Sequence, residues 1–441
     1  MHKPASNIAT DDLVDSRNFT FAHTGSYYAA TQRPTTDFAK LEGAKTADVC
    51  VVGAGFSGIS TALHLAERGY NVHVVEANKV GWGASGRNGG EMIDGVGGRA
   101  LMSKNAEDGS DAMLREMRWA GHDIIRERVK TYNIDCDLKD GYIDLAIKPR
   151  HMRALEASKA ELDDTNFAHE YELLDRQGIA ELLGTDIYMG GLLNMYNGHL
   201  HPLNLCTGEA MAAVSLGATI YEQSPVTRIE HTDRPVVHTE HGSITADSVV
   251  LCGNAYHDLD KKLRSVVFPL QSFIIVTEPL TEAQVAEINP RDLAVCDPNF
   301  LLEYFRLTAD KRMLFGTRIP YFGTDSDYIK NELGPRLHRI YPQLKQMRVD
   351  FGWTGCVAIT VNRVPQFGRL SKNVFYAQGY SGHGVNVTHL AGQIMADAVA
   401  GTMERLDLFE RIKPVPIPSA AILKKPLTWL GITYYKIRDS L

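Results

Sequence analysis

Chemistry first shows in the string VVGAGFSG, where Gly53, Gly55 and Gly58 stand in G-x-G-x-x-G spacing. The first glycine permits a tight turn, the second lets a pyrophosphate approach the backbone, and the third lets helix and strand pack closely. A helix opening there offers free N–H groups and about half a positive charge to a phosphate. Glu76 closes the next apolar run, NVHVVEA, where a carboxylate can accept from both ribose hydroxyls. The same carboxylate would repel the 2′-phosphate of NADP, so the pattern points to NAD or FAD.

Beyond that run comes GASGRNGG, in which Gly83, Gly86, Gly89 and Gly90 leave backbone amides bare for contact with a planar ring. Ser85 and Asn88 are candidate hydrogen bonders within it. His199 and His201 form a single H-x-H without further ligands, which reads as a turn or core feature, and no metal is expected. His383 sits in the glycine-rich GYSGHG. Arg306, Arg318 and Arg363 lie in strand-like segments, and each has the planar fork that clamps a carboxylate.

The elements that must position these groups are legible around the fingerprint. ADVCVVGAG reads as a strand buried on both faces, Phe56 to Arg68 as a helix, and NVHVVEA as a second strand. Strand, helix and strand in this order make a βαβ unit and a parallel sheet. Helices are predicted near 108–132, 203–216 and 325–341. NVFYAQ is a last buried strand, and a helix runs from Gly384 to about Val399.

The chain has 441 residues, 44% of them apolar and 22% charged, which is ordinary globular usage. Lys+Arg 46 against Asp+Glu 53 leaves a net charge of -7, a poor footprint for nucleic acid. Six cysteines without a C-x-x-C pair suggest neither a disulfide framework nor a zinc site. The first residues lack an apolar signal region, and no run approaches the length of a membrane span, so a cytoplasmic protein is expected.

GASGRNGG, HLHPLNL, GNAY, YFRLTAD, WTG, PQFGRL and YAQGYSGHGVNVTHLAG together resemble the D-amino-acid-oxidase superfamily of FAD-dependent amine oxidases, from Ser26 almost to the end. The resemblance implies an α/β fold with a Rossmann-like FAD domain and a substrate domain with a mainly antiparallel sheet. The expected division is a leader at 1–45, the FAD domain from 46–105, 195–255 and 360–412, the substrate domain from 106–194 and 256–359, and a docked tail helix at 413–441. Carried onto this chain, the pattern puts the ADP half of FAD on Gly53, Gly55, Phe56, Ser57, Gly58, Glu76 and Ala77. Ala84, Ser85, Asn88, Gly89 and Gly90 would line the ribityl chain and ring, Val226 would meet the adenine, and Gly253 would close the site. Tyr380, Ser381, Gly382 and Gly384 would approach the flavin's pyrimidine edge.

For catalysis the candidates are His383, Glu91, Tyr304 and Arg306, and for substrate binding Arg318, Arg363 and Asn386. Three departures from relatives stand out: Glu91 replaces a usual glutamine, Asn386 stands where a relative has a carboxylate-binding lysine, and Leu314 falls near its oxygen-activating lysine. Cys356 aligns with a cysteine that holds flavin covalently in that relative, but non-covalent FAD is expected here. The implied reaction oxidises a C–N bond by hydride transfer to flavin, gives an imine that hydrolyses to aldehyde and amine, and reduces O2 to H2O2. The substrate would be a γ-glutamylputrescine-like ω-amine, or an N-carboxymethyl secondary amine such as iminodiacetate or sarcosine. A dehydrogenase passing electrons to a quinone and a non-catalytic flavin-binding protein are the alternatives.

Overall fold

The computed structural model describes residues 21–104, 110–256, 258–299, 301–318 and 325–417. The predicted tail helix lies largely outside them. Two sheets organise the chain.

The first sheet runs, in spatial order, Gln366–Ser371, Val374–Gln378, Gly242–Leu251, Gly43–Val52, Val72–Val75 and Thr219–Tyr221. The four pairings among Val374–Gln378, Gly242–Leu251, Gly43–Val52, Val72–Val75 and Thr219–Tyr221 are parallel, and Gln366–Ser371 joins the edge antiparallel. Val72–Val75 is buried along its whole length, as a strand covered on both faces must be. The helix Phe56–Glu67 packs on one face, with Ile59, Ala62, Leu63 and Ala66 in the core, and Gly384–Val399 lies against it. From the central strand Gly43–Val52 the chain moves outward to Val72–Val75 on one side, and Gly242–Leu251 lies on the other. Strand order therefore reverses beside Gly43–Val52, and such a crevice at the strands' carboxyl ends is where open α/β sheets bind ligands.

The second sheet has nine strands and is mainly antiparallel: Val349–Ile359, Phe268–Pro279, Arg312–Thr317, Glu303–Leu307, Ala294–Cys296, Lys139–Ala146, Gly190–His199 and Glu91–Met92 in order, with Tyr171–Asp175 on Gly190–His199. Glu91–Met92, inside the 46–105 segment expected for the FAD domain, and Gly190–His199, which crosses its boundary at 195, thus pair within this sheet. Alternation separates its two faces cleanly. Ile143, Leu145, Phe273, Ile275, Val295, Phe305 and Phe315 form a core with the helix Ser326–Ile340. The opposite face carries Tyr142, Ile274, Ala294, Cys296, Tyr304 and Leu314, and it turns toward the first sheet.

The leader joins both halves. Buried Glu222 accepts from Thr36 Oγ1 (2.6 Å) and Phe38 N (3.0 Å) of the leader, and from Val80 N (2.8 Å). Further up the leader, Tyr27 donates to Asp310 at 2.7 Å, and Tyr28 packs edge-on against Trp353.

Candidate functional site

Every loop of the fingerprint leaves the same edge of the first sheet. Gly53 follows Gly43–Val52, Glu76 follows Val72–Val75, Gly253 follows Gly242–Leu251, and Gly379 follows Val374–Gln378. From this edge a cavity of ≈ 950 Å³ extends to the inner face of the second sheet.

At the crevice end the glycines are required by contact. Gly53 has φ +104, and a Cβ on Gly58 would stand 1.8 Å from the Gly53 carbonyl oxygen. Nothing but hydrogen fits there, so turn and helix close against each other. A Cβ on Gly55 would meet only the Ser85 hydroxyl, at 2.9 Å, and that hydroxyl accepts from Phe56 N. Glu76 accepts from Ala54 N at 2.7 Å and Asn78 N at 2.9 Å, bracing the turn while its carboxyl lines the cavity. Burial raises its carboxyl above the usual range against those two backbone bonds. Tyr380 and Ser57 share a 2.7 Å hydrogen bond, which ties the GYSGHG loop to the first turn of the helix.

Of the residues expected to hold FAD, Gly53, Gly55, Phe56, Ser57, Glu76, Ala77, Ala84, Ser85, Asn88, Gly89, Val226, Gly253, Tyr380, Gly382 and Gly384 line this one cavity. Gly58, Gly90 and Ser381 stand behind the wall. Gly90 has no room for a Cβ, which would meet Leu200 O at 2.1 Å, and the Ser381 hydroxyl accepts from Thr360 N. The Asn88 side chain holds its own loop, donating to Ala84 O and Ser85 O and accepting from Gly90 N. The residues present fit FAD: a glycine cradle at a helix N-terminus, a carboxylate at the end of the second strand, and a buried Asn78 Oδ1 without a partner beside them.

The far end gathers His383, Glu91, Tyr304, Arg318 and Asn386 on the same wall. His383 is open to the cavity, and burial with the nearby Arg318 guanidinium lowers its pKa, favouring neutral imidazole. Tyr304 packs against Gly89 and Gly316, where added Cβ atoms would meet its ring at 2.6 Å and 2.1 Å. Glu91 Oε1 is buried with no hydrogen-bond partner, and burial pushes the carboxyl up to about 8.

Arg306 stands elsewhere than a substrate clamp requires. It is 2% exposed and donates to Gly89 O (2.6 Å), Leu200 O (2.8 Å), Leu307 O (2.9 Å) and Tyr28 Oη (3.0 Å). Its fork is saturated by backbone and leader, so it fastens the glycine loop to the second sheet behind the cavity wall. Arg363 also lies off the wall, at the turn after Val349–Ile359 with φ 65. His201 Nδ1 caps the helix Pro202–Ser215 by accepting from Asn204 N, and His199 Nε2 meets Asp292 O at 2.7 Å. Among the described residues no cluster of three or more metal-ligating side chains occurs, and no helix is long and apolar enough to cross a membrane.

Sequence reasoning missed Tyr142, Asp144, Cys296 and Asp297, which complete the far wall. Asp144 did leave a signal: an acid in the middle of the otherwise apolar strand YIDLA. Cys356 lies on the wall beside Arg87, and burial raises its thiol to about 12 although Arg87 pulls it down.

A family model described as FAD dependent oxidoreductase, DAO, matches residues 48–398. The chain is 42% identical to gamma-glutamylputrescine oxidoreductase of Escherichia coli (strain K12), over 95% of this chain and 99% of that protein. It is 40% identical to a probable oxidoreductase, OrdL, of Haemophilus influenzae, over 96% and 99%. Its fold resembles glycine oxidase from Geobacillus kaustophilus (TM-score 0.69, 21% identity, 83% of this chain and 98% of that one). Iminodiacetate oxidase from Chelativorans sp. BNC1 is also similar in fold (TM-score 0.65, 20% identity, 81% and 98%). A chain matched over so much of its length, with the cradle inside the matched span, belongs to the DAO family of FAD-dependent oxidoreductases, and FAD is its cofactor.

Proposed function

We propose that this oxidoreductase is an amine oxidase that acts on the C–N bond of an ω-amine of the γ-glutamylputrescine type and forms hydrogen peroxide under air. The observation that carries the reading is the buried, partnerless Oε1 of Glu91 on the wall of the cavity that begins at the dinucleotide cradle. FAD, when bound, supplies the acceptor for the hydride that leaves the carbon beside nitrogen. An amine gives up that hydride from its neutral form, so an ammonium must first lose a proton. Glu91, whose carboxyl burial raises to about 8, is placed to take it at Oε1 in its ionised form, which gains as pH rises toward that value. Neutral His383 and the packed Tyr304 ring wall the space in which the carbon is oriented, and Arg318, on the same wall, is an arginine available to a substrate carboxylate. The similarity to gamma-glutamylputrescine oxidoreductase supports the substrate class.

The cofactor is held without a covalent link in this reading, because a thiol near 12 is a poor nucleophile. Anaerobic mixing with a panel of amines and N-carboxymethyl amines tests the function. An ω-amine should bleach the yellow flavin fastest, and air should then return the colour with one peroxide per turnover. Bleaching by none of the panel would overturn the reading.

A further inference from the structure

Behind the cradle lies a group of charges that the proposed reaction does not use. Arg128, Glu209 and His389 are 3%, 0% and 0% exposed, and they come from three helices, Ser110–Thr131, Pro202–Ser215 and Gly384–Val399. Arg128 Nη1 donates to Glu209 Oε1 at 3.0 Å and to Ser60 Oγ at 2.9 Å, and its Nη2 donates to Ser60 O at 3.3 Å. Ser60 belongs to a fourth helix, Phe56–Glu67, and its hydroxyl donates to His389 O at 3.1 Å.

Both ring nitrogens of His389 are engaged. Nε2 lies 3.1 Å from Glu209 Oε2, and Nδ1 lies 2.5 Å from Val385 O. The carbonyl can only accept. Glu209 is held ionised, because burial pushes its pKa up but the neighbouring His389 and Arg128 outweigh burial and bring it below the usual range. Each nitrogen therefore donates, and the ring is the imidazolium. Apolar side chains of similar volume often replace such a buried ionic group with no loss of stability, so stability alone is a weak reason for it.

What sets this group apart is where its contacts lead. Val385, whose carbonyl His389 Nδ1 holds, lines the cavity together with Gly384 and Asn386. Phe56, whose ring centroid is 5.1 Å from that of His389, lines the same cavity at the cradle. The helices here leave no slack. A Cβ on Gly392 would stand 2.3 Å from Ser60 Oγ, and one on Gly121 would stand 2.1 Å from Asn386 O. A displaced His389 is therefore felt at the first turns of two helices, and both turns face the cavity.

We propose that His389 is a positioning residue for the cofactor: its imidazolium, shared between Glu209 and Val385 O, fixes the start of Gly384–Val399 against the start of Phe56–Glu67 and so sets the spacing of two helix N-termini that meet FAD. It acts through Val385 and Phe56. The inference needs FAD as the cofactor and is independent of which amine is oxidised.

The test starts from the purified FAD-loaded enzyme. Dissociation constants are read from the fluorescence of FAD released on dilution, and reduction potentials from equilibration with a dye. His389→Leu donates nothing and should raise the dissociation constant about tenfold or more. It should also lower the potential, because aligned helix N-termini favour the electron-rich reduced flavin. His389→Gln can still reach Glu209 with its amide and should recover most of the binding. Glu209→Gln removes the charge that holds the imidazolium and should weaken FAD in the same direction. Met395→Ala is the control, a buried side chain on the same helix and off the cavity wall. It should lower Tm and leave FAD affinity and potential at the parent values. A His389→Leu enzyme that loses Tm but keeps the parent affinity and potential would overturn the proposal. Equal weakening of FAD by Met395→Ala would overturn it too, since any loosening of the helix would then suffice. If His389→Leu does not fold, Glu209→Gln decides, and parent affinity and potential in that variant would sink the idea.

Discussion

At the crevice end of the cavity the protein works mostly with backbone: positive-φ glycine at 53, no space for a Cβ at 58, and amides at the start of a helix. At the sheet end it works with side chains: Tyr142 and Asp144 from Lys139–Ala146, Cys296 and Tyr304 from two later strands, and Arg318 just past Arg312–Thr317. The first arrangement tolerates almost no change in shape. The second adds charge to shape. A binding site can therefore divide labour, with geometry fixing the part common to a family and electrostatics selecting what reacts there.

The comparison breaks most sharply at Gly58. Gly58→Ala places a methyl 1.8 Å from a carbonyl oxygen that cannot swing aside, so the purified protein should be colourless or fail to fold. Gly55→Ala meets only a rotatable hydroxyl and should retain more flavin. Equal loss in the two variants, read by absorbance, would show that the cofactor rather than the protein sets the limit. Next in size is Arg306→Met. It strands several buried acceptors behind the wall and should cost about 3 kcal/mol or more of stability, seen as a large drop in Tm. It should leave the KM for a carboxylate-bearing amine within a few-fold once folded protein is counted.

Arg318→Met does the reverse: a small change in Tm and a rise in that KM of about tenfold or more, since a buried charge-assisted pair is lost. Similar KM effects from both arginines would erase the distinction between wall and scaffold. The smallest effect is on pH. A carboxyl whose folded pKa is raised favours the protonated folded state, so stability falls as pH climbs from the ordinary carboxylate range through the raised value and then levels. For Glu91 that window runs from about 4.5 to about 8, with Arg306 and Asp144 as the charges acting on it. Glu91→Gln should flatten the Tm profile over this interval, and an unchanged slope would place the titration on other groups.

The same division explains what could be read from the chain. Gly53 to Glu76 is one local βαβ unit whose function depends on residues near one another in sequence, and the helix expected from Phe56 ends one residue short of Arg68. The helix from Gly384 to Val399 was equally plain, because GYSGHG marks its start. Asp144, Cys296 and Asp297 gave no motif, since they meet only through strand register. Arg306 misled for the same reason. Its residue type is that of a clamp, but its partners, Gly89 and Leu200, are set by the fold and not by its neighbours in YFRLT.

The leader's anchors have a consequence for how the molecule is made. Its residues emerge from the ribosome before their partners: Thr36 and Phe38 need Glu222, and Tyr27 needs Asp310, 283 residues later. Closing such distant contacts is slow, because the loop entropy is lost before any contact is gained. This early segment is therefore among the last to be secured. Until it docks, the carboxyl of Glu222 lacks two of its donors, and nascent chains should be most open to proteases between the leader and the first strand.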